Sequence, residues 1–214
     1  MTIQHIIITF PILLFSIVLH EYCHGYVAYL CGDNTAKQQG RLTLNPIPHI
    51  DLMGSIILPA ILVMSHAPFL LGYPKPVPIN PNNFRDYKKH HIYVSLAGVS
   101  ANLLLAVIFT LLLGFYAKLF NPEQNSVILL LFKYGIQINV ILAVFNLLPI
   151  PPLDGSWVLY HLLPRDLAAM YQKIFPYGFF IIIILLMTNM LHLIIMPFNN
   201  LILNFLSTIL SFFN

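Results

Sequence analysis

The sequence predicts an all-α polytopic membrane protein with about five to six transmembrane helices and short membrane-associated β or extended segments. Three observations predict it. Hydrophobic residues make up 58% of the 214 residues and charged residues only 8%, against roughly 25% charged in an ordinary soluble domain. The apolar residues fall in blocks that match the roughly 20 residues needed to cross a bilayer as helix. Two stretches, 31–50 and 73–84, interrupt the blocks with Gly, Asn and Pro and read as loop or extended chain.

The apolar blocks cover roughly 4–30, 52–72, 92–117, 127–148, 174–196 and 198–213. The first has no basic region before it and no small-residue cleavage site after it, so it is expected to stay as a helix. Between 31 and 50, the run GRLTL alternates like a short strand. The block 52–72 contains Pro59, Ser65, His66 and Pro68, which fits a broken segment. The stretch YPKPVPINPNNF carries four prolines and reads as extended chain. Lys37 and Arg41 lie in the first loop; Lys75, Arg85, Lys88 and Lys89 lie in the second. A full span over 52–72 would put these loops on opposite sides of the membrane. A segment that dips in and returns puts both on the cytoplasmic side, as basic loops prefer, and is the arrangement we expect. Irregular backbone at membrane depth then requires cover from protein or water.

The formal charge of +3 comes with no basic run or stripe, which excludes a nucleic-acid partner. Cys23 and Cys31 are not spaced as CxxC and give no disulfide framework. They read as reduced, small apolar residues.

Against this background the stretch IVLHEYCHGYVAYL is anomalous. It places His20, Glu21 and His24 inside an apolar helix, where an ionisable group costs at least about 2.5 kcal/mol and marks function. Positions i and i+4 share a helix face, so both imidazoles can reach one metal ion with Glu21 beside it. This is the HExxH arrangement of zinc peptidases. A catalytic zinc site needs a third protein ligand and an open position. Asp33 and Asp86 lie in polar loops, Glu123 lies in a turn-like link, and Asp166 follows Pro164 as a helix-start residue. Asp154 differs. Pro149, Pro151 and Pro152 break the chain just before it and Gly155 follows, an arrangement that aims one side chain inward. Asp154 is the expected third ligand.

HEYCH on an early transmembrane helix and NLLPIPPLDG after a late one resemble the site-2 protease family of intramembrane zinc metalloproteases. GRLTLNPIPHIDLMGSIILP, KPVPIN and SLAGVSAN resemble its compact bacterial members without a PDZ domain, and the similarity runs from about residue 16 to 160. The resemblance implies His20, His24 and Asp154 as zinc ligands, Glu21 as catalytic base, and Asn146 and Asn102 as substrate or transition-state residues. Val99 stands where the family has proline. The implied organisation is a single transmembrane metalloprotease domain, 1–214, with a catalytic core about 1–160 and C-terminal helices about 174–213.

The implied function is hydrolysis of peptide bonds in transmembrane helices of membrane protein substrates, among lipids, in a bacterial inner or plasma membrane. The alternative is a non-proteolytic membrane metal carrier. His49 and Asp51 are candidates for orienting a ligand or a water path, and GRLTL and KPVPIN for presenting a backbone edge to an extended peptide. Trp157 and the tyrosines fit interfacial belts. His66, His90, His91, His161 and His192 have no partner that the sequence names.

Overall fold

The computed structural model describes residues 3–65, 72–121, 123 and 126–213. Helix α1 (Ile3–Leu30) leads into a polar loop holding the single turn α2 (Thr35–Gln38). A wide π turn over Leu52–Ile57 continues into α3 (Leu58–Met64). Then come α4 (Tyr87–Phe120), α5 (Val127–Leu147), α6 (Asp154–Leu162), α7 (Arg165–Gln172), α8 (Gly178–Met187) and α9 (Met190–Ser211). Among the described residues, five stretches are long and apolar enough to cross a membrane: Ile7–Leu30, Tyr87–Phe120, Val127–Leu147, Arg165–Met187 and Met190–Ser211. The all-α polytopic class is therefore observed.

Local chemistry sets the ends of these helices. Asp86 accepts a hydrogen bond from the Lys89 amide at the start of α4, and Ser126 does the same for Leu129 at the start of α5. Asn121 stops α4 in the left-handed conformation (φ 40°). Pro149 follows the end of α5, as expected where a helix must stop.

Leu52–Met64 is only 13 residues long, roughly 20 Å as helix against a hydrocarbon core of about 30 Å. The chain on its two sides meets: Tyr73 N donates to Gly54 O (3.1 Å), Ser55 Oγ to Tyr73 O (2.9 Å) and Lys75 N to His49 O (2.9 Å). Gly54 permits this, because a Cβ there would collide with the Tyr73 ring. His66 and Pro68 lie outside the described residues.

Two expectations are corrected. No strand occurs among the described residues, and GRLTL is a series of bends. The partner it would need, 74–80, lacks an N–H at Pro74, Pro76 and Pro78. The amides of Lys75, Val77 and Asn80 are already bonded to His49 O, Glu21 and Asp33. The segment is extended, but it offers an extended peptide no row of unpaired donors. At the C-terminal end, the helix break falls at Thr188–Asn189, with Asn189 at φ 58°, and not at Pro197. Pro197 sits inside α9. Proline is tolerated within apolar spans when neighbouring groups re-satisfy the backbone.

Both polar loops lie at one end of the bundle. Arg85 N donates to Cys31 O (3.2 Å), Asn80 N and Asn83 Nδ2 donate to Asp33, and Arg41 Nη2 donates to the carbonyls of Lys75 and Pro76. Burial pushes the Asp33 carboxyl up, but the bonds from Thr35, Asn83 and Asn80 outweigh it and hold it below the usual carboxylate range. Helix α1 runs toward this loop end, α4 runs away from it and α5 runs back. Central α4 packs on α1, α5, α6 and α9. A residue near the end of α1 and one just after α5 therefore arrive at similar depth.

Candidate functional site

His20, Glu21 and His24 lie roughly 9–15 Å from the C-terminal end of α1 at 1.5 Å per residue. All three are buried, at 7%, 9% and 8% exposure. Their rings rest against Gly98 of α4, where an added Cβ would sit 2.5 Å from His20 Cε1 and from His24 Nε2. Only a glycine lets the imidazoles lie this close to the helix. Asp154 opens α6 without capping it. Gly155 makes the approach possible, because a Cβ there would strike the Leu147 carbonyl.

The other faces of the two rings fix their tautomers. His24 Nδ1 lies 2.7 Å from the Val94 carbonyl, which can only accept, so Nδ1 carries the proton. His20 Nδ1 lies 2.7 Å from Asn102 Oδ1, while Asn102 Nδ2 donates to Asn139 Oδ1 (2.9 Å) and to Ser16 O (3.4 Å). His20 Nδ1 is thus also a donor. Both rings therefore turn Nε2 into the site, and the two Nε2 atoms stand 2.9 Å apart. Asp154 Oδ2 is 3.2 Å from one and 3.3 Å from the other, buried and without a hydrogen-bond partner.

Three potential ligand atoms this close, one of them on a carboxylate, require a proton or a metal cation among them. Their spacing is close to the roughly 3.3 Å edge of a tetrahedron with zinc-like bonds of about 2.05 Å. The donor set, two imidazole nitrogens and a carboxylate oxygen, suits zinc chemically. His20, His24 and Asp154 are also the one group among the described residues with metal-ligating atoms all within 4.8 Å of one another.

Glu21 Oε2 accepts from the Val77 amide at 2.9 Å. Val77 belongs to the extended stretch that Arg41 clamps by the neighbouring carbonyls. A cavity of about 770 Å³ opens here, lined by His20, Glu21, His24, Asn146, Asp154 and Trp157 among others. Asn146 donates to the Leu142 carbonyl (2.9 Å) through Nδ2. That nitrogen carries two protons, so one remains. Asn102 is fully buried, and its amide is held by His20, Asn139 and Ser16. His49 Nε2 donates to the Thr43 carbonyl of its own loop (3.0 Å), and Asp51 caps the wide turn by accepting from Gly54 N (2.7 Å). Both hold the loop together.

Sequence reasoning missed two features. His91 and His161 pair through Nδ1 and Nε2 at 2.8 Å, with His91 stacked on Trp157 at 4.6 Å. The pair joins the start of α4 to the end of α6, the helix that carries Asp154. Their wide separation in the chain gives no pattern to read. Ser16 and Asn139 were also missed, although a buried Asn in an apolar span is itself a signal.

Comparison with known proteins agrees with these observations. Residues 120–188 match the model of peptidase family M50. Two relatives carry the name "Putative zinc metalloprotease": YwhC of Bacillus subtilis (strain 168) and Rip2 of Mycolicibacterium smegmatis. YwhC is 37% identical over 196 residues, 88% of this chain and 84% of the relative. Rip2 is 36% identical over 187 residues, 84% of this chain and 66% of the relative. MJ0611 of Methanocaldococcus jannaschii, of the same description, is 41% identical over 78 residues, 36% of this chain and 38% of the relative. No solved structure matches. An identity of 37% sustained across most of both chains, with the family match covering the Asp154 region, means that the chain belongs to peptidase family M50, the site-2 protease family of metalloproteases.

Proposed function

We propose that the protein is an intramembrane zinc endopeptidase that hydrolyses peptide bonds in transmembrane helices of other membrane proteins. One observation carries the reading: His20 Nε2, His24 Nε2 and Asp154 Oδ2 converge inside a bundle of membrane-length helices, with a carboxylate and a cavity beside them. His20, His24 and Asp154 would hold the ion. Zinc bound there supplies a Lewis acid for the scissile carbonyl and lowers the pKa of a water to about 7.

The chain's own groups do the rest. Glu21 takes a proton from the attacking water and returns it to the leaving amine nitrogen. The Val77 amide holds one carboxylate oxygen, Oε2, which orients the other for the water. The remaining N–H of Asn146 donates to the oxyanion that forms on the scissile carbonyl. The cavity admits a locally unwound segment of a substrate helix, since a helix with its carbonyls bonded exposes no scissile group. The setting is a bacterial cell membrane, with 1–160 as the catalytic core and 174–213 as lipid-facing helices.

Metal removal tests this. Purified protein should bind about one zinc per chain. Cleavage of a transmembrane substrate in detergent should stop on treatment with 1,10-phenanthroline and return on adding zinc. Undiminished cleavage by metal-free protein would refute the proposal.

A further inference from the structure

The buried amides behind His20 form a directed chain across three helices. Asn139 of α5 donates through Nδ2 to Gly135 O (2.9 Å) and to Ser16 Oγ of α1 (2.9 Å). A backbone carbonyl can only accept, so this end of the Asn139 amide must be the nitrogen. Its Oδ1 then faces α4 and accepts from Asn102 Nδ2 (2.9 Å). That in turn aims Asn102 Oδ1 at His20 Nδ1 (2.7 Å). Ser16, Asn102 and Asn139 are all 0% exposed, so no solvent can substitute for any link. Inverting either amide would set oxygen against oxygen, and an inverted Asn102 would donate to Nδ1 and force the proton onto Nε2.

We propose that Asn139 is a positioning residue that, through Asn102, locks His20 in the Nδ1–H tautomer and so keeps Nε2 available to the metal. The proposal rests on the zinc-site reading above, but the Nδ1–H bond to Asn102 that it specifies is made at the ring nitrogen facing away from the metal. His24 needs no such chain, because Val94 supplies a backbone carbonyl directly. Position 20 has a side-chain amide in that place. An amide can flip, and so it needs a partner that cannot.

The test uses full-length protein in detergent. Asn139→Leu removes the nearer acceptor of Asn102 Nδ2, leaving it only the Ser16 carbonyl at 3.4 Å, while keeping a similar volume. It should weaken zinc binding, measured by competition with a chromophoric chelator, by about 10- to 100-fold, the usual cost of losing a partner behind a metal ligand. In protein labelled with ¹⁵N-histidine, His20 Nδ1 should change from a uniformly protonated nitrogen to a mixture of protonated and unprotonated forms. Asn102→Asp presents an acceptor whichever way it turns. The double variant Asn102→Asp/Asn139→Leu should therefore recover most of the zinc affinity lost in Asn139→Leu.

A packing role alone would give the same loss in both backgrounds and no change of tautomer, and that result would overturn the proposal. So would an unchanged affinity in Asn139→Leu. If Asn139→Leu does not fold, Asn139→Ala gives the same comparison, since it removes the acceptor and asks for no extra space. Failure of the wild-type protein to bind zinc would refute the zinc reading, while the tautomer measurement would still decide the role of Asn139.

Discussion

Glu21→Gln is expected to lose about 10²- to 10⁴-fold in cleavage of a transmembrane substrate while still binding about one zinc per chain. The substitution isolates the proton-transfer step. Glutamine keeps a side-chain oxygen at the place where Val77 N donates (2.9 Å), so the extended segment over the site stays seated. It also leaves His20, His24 and Asp154 untouched. What it removes is a group that can accept the proton of the water and release it to the amine. The measurement is a paired one, of zinc content and of substrate cleavage on the same purified sample. A variant that cuts at the wild-type rate would show that Glu21 is not the base. A variant that loses its zinc would make Glu21 part of the metal-holding set. A metal carrier with the same ligands would show no cleavage to lose, so the wild-type control separates the two functions.

Gly98→Ala should have an effect of similar size through a different cause. Alanine is favoured over glycine within a helix by about 1 kcal/mol, so α4 itself should be no less stable. The new Cβ, however, would sit 2.5 Å from His20 Cε1 and His24 Nε2, and 2.6 Å from His20 Nδ1. Each ring is held to α4 by a hydrogen bond made four residues from Gly98, His20 to Asn102 and His24 to Val94, so backing away from the new Cβ would break that bond. The rings must tilt, and the three ligand atoms cease to converge. The expected outcome is unchanged helical content by circular dichroism, zinc affinity down by at least about 10-fold, by analogy with losses seen when a ligand's support is removed, and cleavage lost in step. Full zinc binding by this variant would mean that the imidazoles do not pack on α4 as described.

How much of this was legible in the sequence depends on the range over which each feature is specified. His20, Glu21 and His24 were legible because their relation is local: helical spacing alone puts the two imidazoles on one face. Asp154 was legible because the prolines at 149, 151 and 152 announce an irregular turn beside a membrane helix. The closure of 49–55 against 73–75 was not legible, because it is fixed by bonds from Tyr73 and Lys75 to Gly54 and His49, which no periodicity encodes.

Where two local signals competed, the louder one misled. The apolar blocks 174–196 and 198–213 part at residue 197, whereas the chain turns at Thr188–Asn189. GRLTL alternated like a strand, but its neighbour of alternate prolines cannot supply a ladder. The least legible feature was the amide chain of Ser16, Asn102 and Asn139. The three residues come from three helices and acquire meaning only when those helices pack. The pairing of His91 with His161 is hidden for the same reason.

The central claim is that two imidazoles and one carboxylate, brought from α1 and from the turn after α5, share a single zinc ion. Anomalous diffraction at the zinc absorption edge, from crystals of the zinc-loaded protein, tests it most directly. The account predicts one strong peak about 2.0–2.2 Å from His20 Nε2, His24 Nε2 and an Asp154 carboxylate oxygen. A peak elsewhere, or an ion held by the two histidines with Asp154 turned away, would contradict it.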